Sequence, residues 1–304
     1  MMFRRNGTIA LKRETFELPD GDFIDLDWGP NKQGPIIIIL HGLEGNSRSH
    51  YVSGLLRRIQ KLGWRSVVMH FRGCGGQPNR LPRHYHSGDT ADLRRLIMEL
   101  KSREPGVALN AVGFSLGGNV LLKYLGEGTR DGGLDAAVAV CVPMVFGDCA
   151  QRLDRGFSKV YQWWLLRCLK KKLNEKASST IMPIDWNKLS ACRTFREFDN
   201  LVTAPLHGFR NADDYYQQVS ARQFLASITT PTLIIHAQDD PFMSADVLPS
   251  PAELSSAVMV ETSSGGGHIG FVEGLVPLRP KYWLEHRIVD ALEQFIRRRL
   301  TLQS

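Results

Sequence analysis

The sequence has no apolar run long enough to cross a bilayer. Its longest, PIIIIL at 35–40 and AAVAVCVPMVF at 136–146, fall well short of the about 20 residues a spanning helix needs. Cysteine is scarce: Cys74, Cys141, Cys149, Cys168 and Cys192 are odd in number and show no CxxC spacing. That argues against a disulfide framework and a zinc site, and it fits a reducing compartment. No H-E-x-x-H is present either, so metallohydrolase chemistry has no ligand set. The opening MMFRRNGTIALKRETF is basic but lacks an apolar h-region, so no signal peptide is expected. No repeat or low-complexity segment appears. These absences together predict a soluble, cytoplasmic protein.

What is present is ordinary in bulk. Hydrophobic residues make up 43% of the 304 residues and charged residues 23%, as in soluble globular proteins. A chain of this length can bury a substantial core without staples, and it is read as a monomer. The net charge of +7 comes from scattered lysines and arginines, with small clusters at LKKKLNEK (169–176) and IRRRL (296–300). With no nucleic-acid-binding motif beside them, they read as solvated faces, and no nucleic-acid partner is expected.

The order of elements is more informative. RETFELPDGDFIDLDWG reads as two strands joined by a Pro-Asp-Gly-Asp turn. PIIIIL, WRSVVMHF, VALNAVGF and LDAAVAVCVPM then read as buried strands, alternating with helices in RSHYVSGLLRRIQKLG, GDTADLRRLIMELKSREPG and LGGNVLLKYLGEG. Such alternation builds a mostly parallel central sheet with helices on both faces. It stops near 146 and resumes with TTPTLIIHAQDD, SAVMVETSS and a last helix, KYWLEHRIVDALEQFIRRRL. The organisation expected is one domain in three segments: core residues 1–146, a helical cap insertion at 147–225, and core residues 226–304. The cap would lie over the carboxyl edge of the sheet, where open α/β sheets bind ligands.

Gly113-Phe114-Ser115-Leu116-Gly117 matches G-x-S-x-G between a predicted strand and a predicted helix, the context of a nucleophile elbow. A serine hydroxyl needs a base, and in this arrangement the partners follow in the order Ser…Asp/Glu…His. Of the later histidines, His207 falls in the insertion, His236 inside a strand and His286 mid-helix. His268, in the Gly-rich loop SSGGGHIGF, remains as the base. The acid should follow the strand after the insertion, where LIIHAQDDPFM offers two aspartates. Asp240, before Pro241, is preferred, with Asp239 the alternative. The two backbone donors of an oxyanion hole fall to Leu116 and, in the loop HGLEGN, to Leu43, with His41 structural.

At this point the chain resembles the α/β-hydrolase superfamily and, within it, the YheT-like family of esterases. The resemblance is carried by Asp199, Gly208-Phe209, Asp214-Tyr215-Tyr216, Ser220, Ile228, Pro231, Leu233, Ile235 and Asp239-Asp240. LPDGDFIDLDW, HGLEGNSRSHY, FRGCGGQPNRLPRHYHSGDTADL and GFSLGGNVLLKYLGE extend it over most of the chain. It implies an α/β-hydrolase fold and a serine-dependent carboxylic-ester hydrolase with the triad Ser115, Asp240 and His268. No metal or organic cofactor is implied, and the partner is a small-molecule ester of small or medium acyl size.

Two rivals use the same residues: an acyltransferase with the same triad, and a non-catalytic binding module on a hydrolase scaffold. Among weaker signals, His84 and Asp89 have an H-x-x-x-x-D spacing found in acyltransferases and are read as structural, with Asp89 near a helix start. Cys74 has no base beside it and reads as a small loop residue. VYQWWLLRCLKKKL reads as a cap helix whose Trp163 and Trp164 line an acyl pocket or pack over it. The alternative, docking on a membrane, has no second anchor.

Overall fold

The computed structural model describes residues 9–128, 133–273 and 281–303, so the expectation of no signal peptide falls in part, at residues 1–8, outside the described residues. The hairpin signal folds as expected. Strand β1 (Lys12–Glu17) returns on β2 (Phe23–Trp28), pairing Glu17 with Phe23 and Lys12 with Trp28. The turn closes because Leu18 N–H donates to the Asp22 carbonyl (2.9 Å) and Gly21 takes φ +81°, which glycine adopts at no steric cost.

The alternating units follow: β3 (Ile36–Leu40), α1 (His50–Lys61), β4 (Arg65–Met69), α2 (Ala91–Arg103), β5 (Leu109–Phe114), α3 (Leu116–Gly126) and β6 (Ala136–Val140). The chain then makes only helices: α4 (Phe146–Leu153), α5 (Ser158–Ala177), α6 (Trp186–Ala191) and α7 (Phe195–Phe198). A π-helical turn at Asp199–Thr203 leads into α8 (Ala204–His207) and α9 (Ala212–Val219), and a 3₁₀ segment, Ala221–Ser227, closes the series. Strands β7 (Thr232–Ala237) and β8 (Val258–Ser263) return to the sheet, followed by β9 (Val272–Glu273), β10 (Lys281–Tyr282) and α10 (Trp283–Gln303).

The eight-stranded sheet runs β1-β2-β4-β3-β5-β6-β7-β8. Its six strands from β4 to β8 are mutually parallel, and the hairpin joins through antiparallel β2. All five residues of β3 are fully buried, each aliphatic side chain contributing roughly 1.5–3 kcal/mol relative to exposure. The chain thus has an α/β-hydrolase fold, with α10 packed on α1 and β6 and α3 packed on β5 and β6. One expected boundary shifts. Lys281 and Tyr282, read as helix, instead pair with Glu273 and Val272, and α10 begins at Trp283.

Two polar residues tie these layers together. Arg72, buried in FRGCGG, donates twice to Asp92 of α2 (2.8 and 2.7 Å) and reaches Asp20 (2.7 Å) and Asp22 (3.0 Å) in the hairpin turn. Asn119 of α3, fully buried, donates to the carbonyls of Ser87 and Val219 (2.8 Å each) and accepts from Ala221 N–H (3.0 Å). It thereby anchors the end of the helical series to the core.

Replacing Asn119 with Ala would leave three buried backbone groups unpaired, each worth about 1–3 kcal/mol. Asn119→Ala should therefore lower the unfolding free energy by on the order of 3 kcal/mol, read by urea denaturation. A loss under 1 kcal/mol (about one ordinary hydrogen bond) would mean that water replaces these bonds.

Candidate active site

Ser115 sits between the last residue of β5 and the first of α3, at φ +52° and ψ −118°. A non-glycine residue there costs on the order of 1–3 kcal/mol and persists only where its surroundings over-determine it. Here Ser115 N–H donates to the Val140 carbonyl of β6 (2.8 Å), and the Ser115 carbonyl accepts from Asn119 N–H (3.1 Å). The turn also needs backbone to pass close to backbone. A Cβ on Gly113 would lie 2.5 Å from the Gly117 carbonyl oxygen. One on Gly117 would lie 2.5 Å from the carbonyl oxygen of His41 and 2.6 Å from that of Leu40.

The turn aims the Ser115 hydroxyl at the loop after β8. Its O–H donates to His268 Nε2 (3.0 Å), while His268 Nδ1–H donates to Asp240 Oδ2 (2.8 Å). Asp240 is buried and also accepts from Phe242 N–H (2.9 Å). The Phe242 ring stacks flat on the imidazole, centroids 4.0 Å apart. Of the two adjacent aspartates, Asp240 meets the imidazole. Exposed Asp239 accepts from Gly267 N–H (2.7 Å) and so fastens the loop that carries it. Phe242 escaped the sequence reading, although it lies two residues from the preferred acid.

The loop after β3 supplies amides. Gly42 N–H donates to the Tyr51 hydroxyl (2.9 Å), Glu44 N–H to the Tyr85 hydroxyl (2.9 Å), and Gly45 N–H to the Gly42 carbonyl (3.0 Å). Of this turn's amides, only that of Leu43 has no such acceptor among the described residues, and Leu43 borders the same cavity as Ser115 and Leu116. The Leu116 amide opens α3, where no intrahelical acceptor exists. His41 is structural as expected: it is fully buried, its Nδ1–H donates to the Gly42 carbonyl (2.7 Å), and Nε2 accepts from Phe71 N–H (3.3 Å).

Ser115 and His268 open into a cavity of about 110 Å³. Its apolar wall includes Pro143, Phe146 and Leu153, together with Leu165 and Leu169 of α5. The expectation for the tryptophans is overturned: Trp163 and Trp164 are more than half exposed and face away from it. The helical period puts Leu165 and Leu169 on one face, and that face is the inner one. The same lining also carries polar side chains, His84, His86, Asp199, Thr203, Tyr215 and Tyr216. His84, read as structural, therefore lines the cavity, while Asp89 pairs with Arg83 (2.6 Å). His207 packs against the rings of His86 and His84, at 4.4 and 5.2 Å. His236 is buried on β7 and His286 exposed on α10.

Among the described residues one group could hold a metal: Cys141, His236 and Asp240, all buried, with ligand atoms within 4.8 Å of one another. The Asp240 carboxylate is already engaged by His268 and Phe242. No described helix is long and apolar enough to cross a membrane.

Residues 35–275 match the α/β hydrolase fold family. The chain is 44% identical to "Putative esterase YheT" of Escherichia coli strain K12, over 97% of this chain and 88% of that protein. It is 31% identical to phospholipase ABHD3 of Mus musculus, over 90% of this chain and 69% of that protein. Identity to a monoacylglycerol lipase of Saccharomyces cerevisiae is 30%, over 88% and 60%. Among solved structures, the Pyrococcus furiosus esterase Pf2001 superposes with a TM-score of 0.63 at 17% identity, covering 94% of this chain and 91% of that one. At that identity the likeness is one of fold.

Two outcomes follow from the geometry. Gly117→Ala forces a methyl into two carbonyl oxygens, so it should cost about 1–3 kcal/mol and displace Ser115, measurable together as a lowered melting temperature and lost hydrolase turnover. Wild-type turnover in that variant would show that α3 can retreat freely. The second outcome concerns pH. Burial lowers His41 to about 3, His84 to about 4, His86 to about 3 and His207 to about 2, from an ordinary 6.5. The unfolded chain then binds more protons below pH 6.5, so the stability these rings contribute is full above 6.5 and falls on acidification. Asp199, raised by burial from 3.8 to about 6, acts with the opposite sign between those values, one group against four. The melting temperature should therefore drop between pH 7 and pH 5; a flat profile would mean the four rings are hydrated.

Proposed function

The chain belongs to the α/β-hydrolase family, in its YheT-like branch, and on that premise we propose that it is a serine-dependent carboxylic-ester hydrolase working through an acyl-enzyme. The observation that carries this reading is the unbroken hydrogen-bonded chain Ser115–His268–Asp240 at the mouth of an apolar cavity. His268 Nε2 takes the Ser115 proton as Oγ attacks the ester carbonyl, a general-base contribution of roughly 10²–10⁴. The oxyanion accepts from the amides of Leu43 and Leu116, the larger electrostatic contribution. His268 then protonates the departing alcohol, and water attacks the acyl-serine by the same route. Asp240 holds the imidazole in the Nδ1–H tautomer and stabilises it when charged.

A small or medium acyl group is supported by the cavity's volume of about 110 Å³ and its wall of leucine and phenylalanine. The names of the relatives, an esterase, a phospholipase and a monoacylglycerol lipase, all denote hydrolysis of esters and support the same reaction class. Five free cysteines support a cytoplasmic location.

The test is labelling of the purified protein with a fluorophosphonate, read by intact mass. A single adduct is expected on the wild type and none on Ser115→Ala, whose turnover of p-nitrophenyl acetate should fall by at least roughly 10⁴. An adduct that survives in the mutant would move the nucleophile elsewhere. Asp240→Asn should lose on the order of 10⁴ in kcat, whereas Asp239→Asn, which leaves the imidazole's own partner intact, should keep most of its activity. The reverse ranking would make Asp239 the acid.

A further inference from the structure

The charge inside the cavity is at odds with that of the whole protein. The chain carries 38 lysines and arginines against 31 acidic residues, yet no lysine or arginine lines the cavity that holds Ser115. Its one carboxyl is that of Asp199. Asp199 opens the π-helical turn after α7, a distortion that commonly re-aims a side chain at a functional site. Its two oxygens accept from the hydroxyls of Thr203 (2.6 Å) and Tyr216 (2.8 Å), both neutral donors. Among the described residues it has no cationic partner within ion-pair distance, and it is buried. A buried carboxylate with neutral partners alone retains most of its field for whatever enters beside it.

Seven phenyl and phenol rings line the same space: Tyr85, Phe146, Phe195, Phe198, Tyr215, Tyr216 and Phe242. Their faces carry negative quadrupole potential that attracts cations, ammonium groups above all. An anion, three phenols and four phenyl rings, with no lysine or arginine among them, form an environment complementary to a desolvated cation. Resting on the hydrolase reading of this site, the geometry points to a charge-selective cavity: Asp199 and the surrounding rings favour esters that bear an ammonium group over neutral esters of the same shape.

Asp199 is bonded by Thr203 of its own turn and Tyr216 of α9, and its charge acts on Tyr215 of α9; His84 and His86 of the segment before α2 share the cavity with it, and His207 of α8 packs on both of these rings. Arg196 of α7 is engaged by Asp213 at 2.7 Å. Burial holds the three imidazoles neutral down to about pH 4, and it raises both phenols far above neutrality. Asp199, raised to about 6, is thus the group in this set whose charge changes between pH 8 and pH 5.

The test uses a cation and its neutral carbon isostere, choline and 3,3-dimethylbutan-1-ol, as competitive inhibitors of p-nitrophenyl acetate hydrolysis at pH 8, with direct binding by calorimetry in parallel. Choline should bind the wild type about fivefold or more tightly than the isostere. The ratio should fall by about twofold or more in Asp199→Asn, and by calorimetry in the wild type as the pH falls through about 6, the rings keeping a smaller preference of their own; an unchanged ratio in both would overturn the role of Asp199. If Asp199→Asn does not fold, the wild-type pH series decides. Equal binding of the two compounds to an enzyme that still hydrolyses the ester overturns charge selection and leaves the hydrolase reading intact. A protein that neither turns over ester nor takes a fluorophosphonate label removes that reading. Calorimetric preference for choline, present or absent, then decides the inference by itself.

Discussion

Helix α3 and strand β3 touch main chain to main chain at Gly117, and the rest of the site depends on that contact. It lets the helix start directly at the sheet edge, so that Ser115 is forced into a positive φ and projects its hydroxyl away from the strand. The same contact brings the loop after β3 beside the first amide of α3. Leu43 and Leu116 therefore border one cavity although 73 residues separate them in sequence. The strained serine and the two amides beside it are products of one packing constraint.

The remaining parts are held by main-chain hydrogen bonds at strand ends. Phe242 N–H fixes the Asp240 carboxylate and Gly267 N–H is fixed by Asp239, so neighbouring residues on one loop locate both that carboxylate and the loop that carries His268. Tyr51 and Tyr85 pin the amides on either side of Leu43. Little of this geometry rests on long flexible side chains, whose ordering costs entropy each time they are fixed. The cost appears elsewhere, in buried imidazoles that must stay neutral.

Much of the architecture was legible because strand and helix periods differ, and the order of apolar runs maps onto β3 to β8 with one shift at Lys281 and Tyr282. Ser115 and His268 stood out because glycine-rich turns mark where a chain leaves a strand. The place of Asp240 before Pro241 favoured it over Asp239 without excluding the latter, since both occupy the same turn; the direction each side chain takes is what divides them. The outward face of Trp163 and Trp164 was illegible for a related reason: α5 presents apolar residues on two sides, and sequence does not say which side meets the core. Asp199 belonged to the recognised pattern without a role. Its place in the cavity comes from a π-helical turn, which leaves no compositional trace.

The helical series leaves and rejoins the sheet at points that are bonded to each other. Phe146 N–H donates to Ser220 Oγ (3.0 Å) and Arg222 N–H to the Met144 carbonyl (3.2 Å). The distance the sheet must bridge is thus set at the base, independently of how much chain lies between. Doubling such an excursion costs only about 0.6 kcal/mol in closure entropy. In evolutionary terms the stretch is a cassette: insertions and deletions within it can remodel the cavity wall, and with it what the cavity admits, while the strands that lead to Ser115, Asp240 and His268 stay tied at their ends.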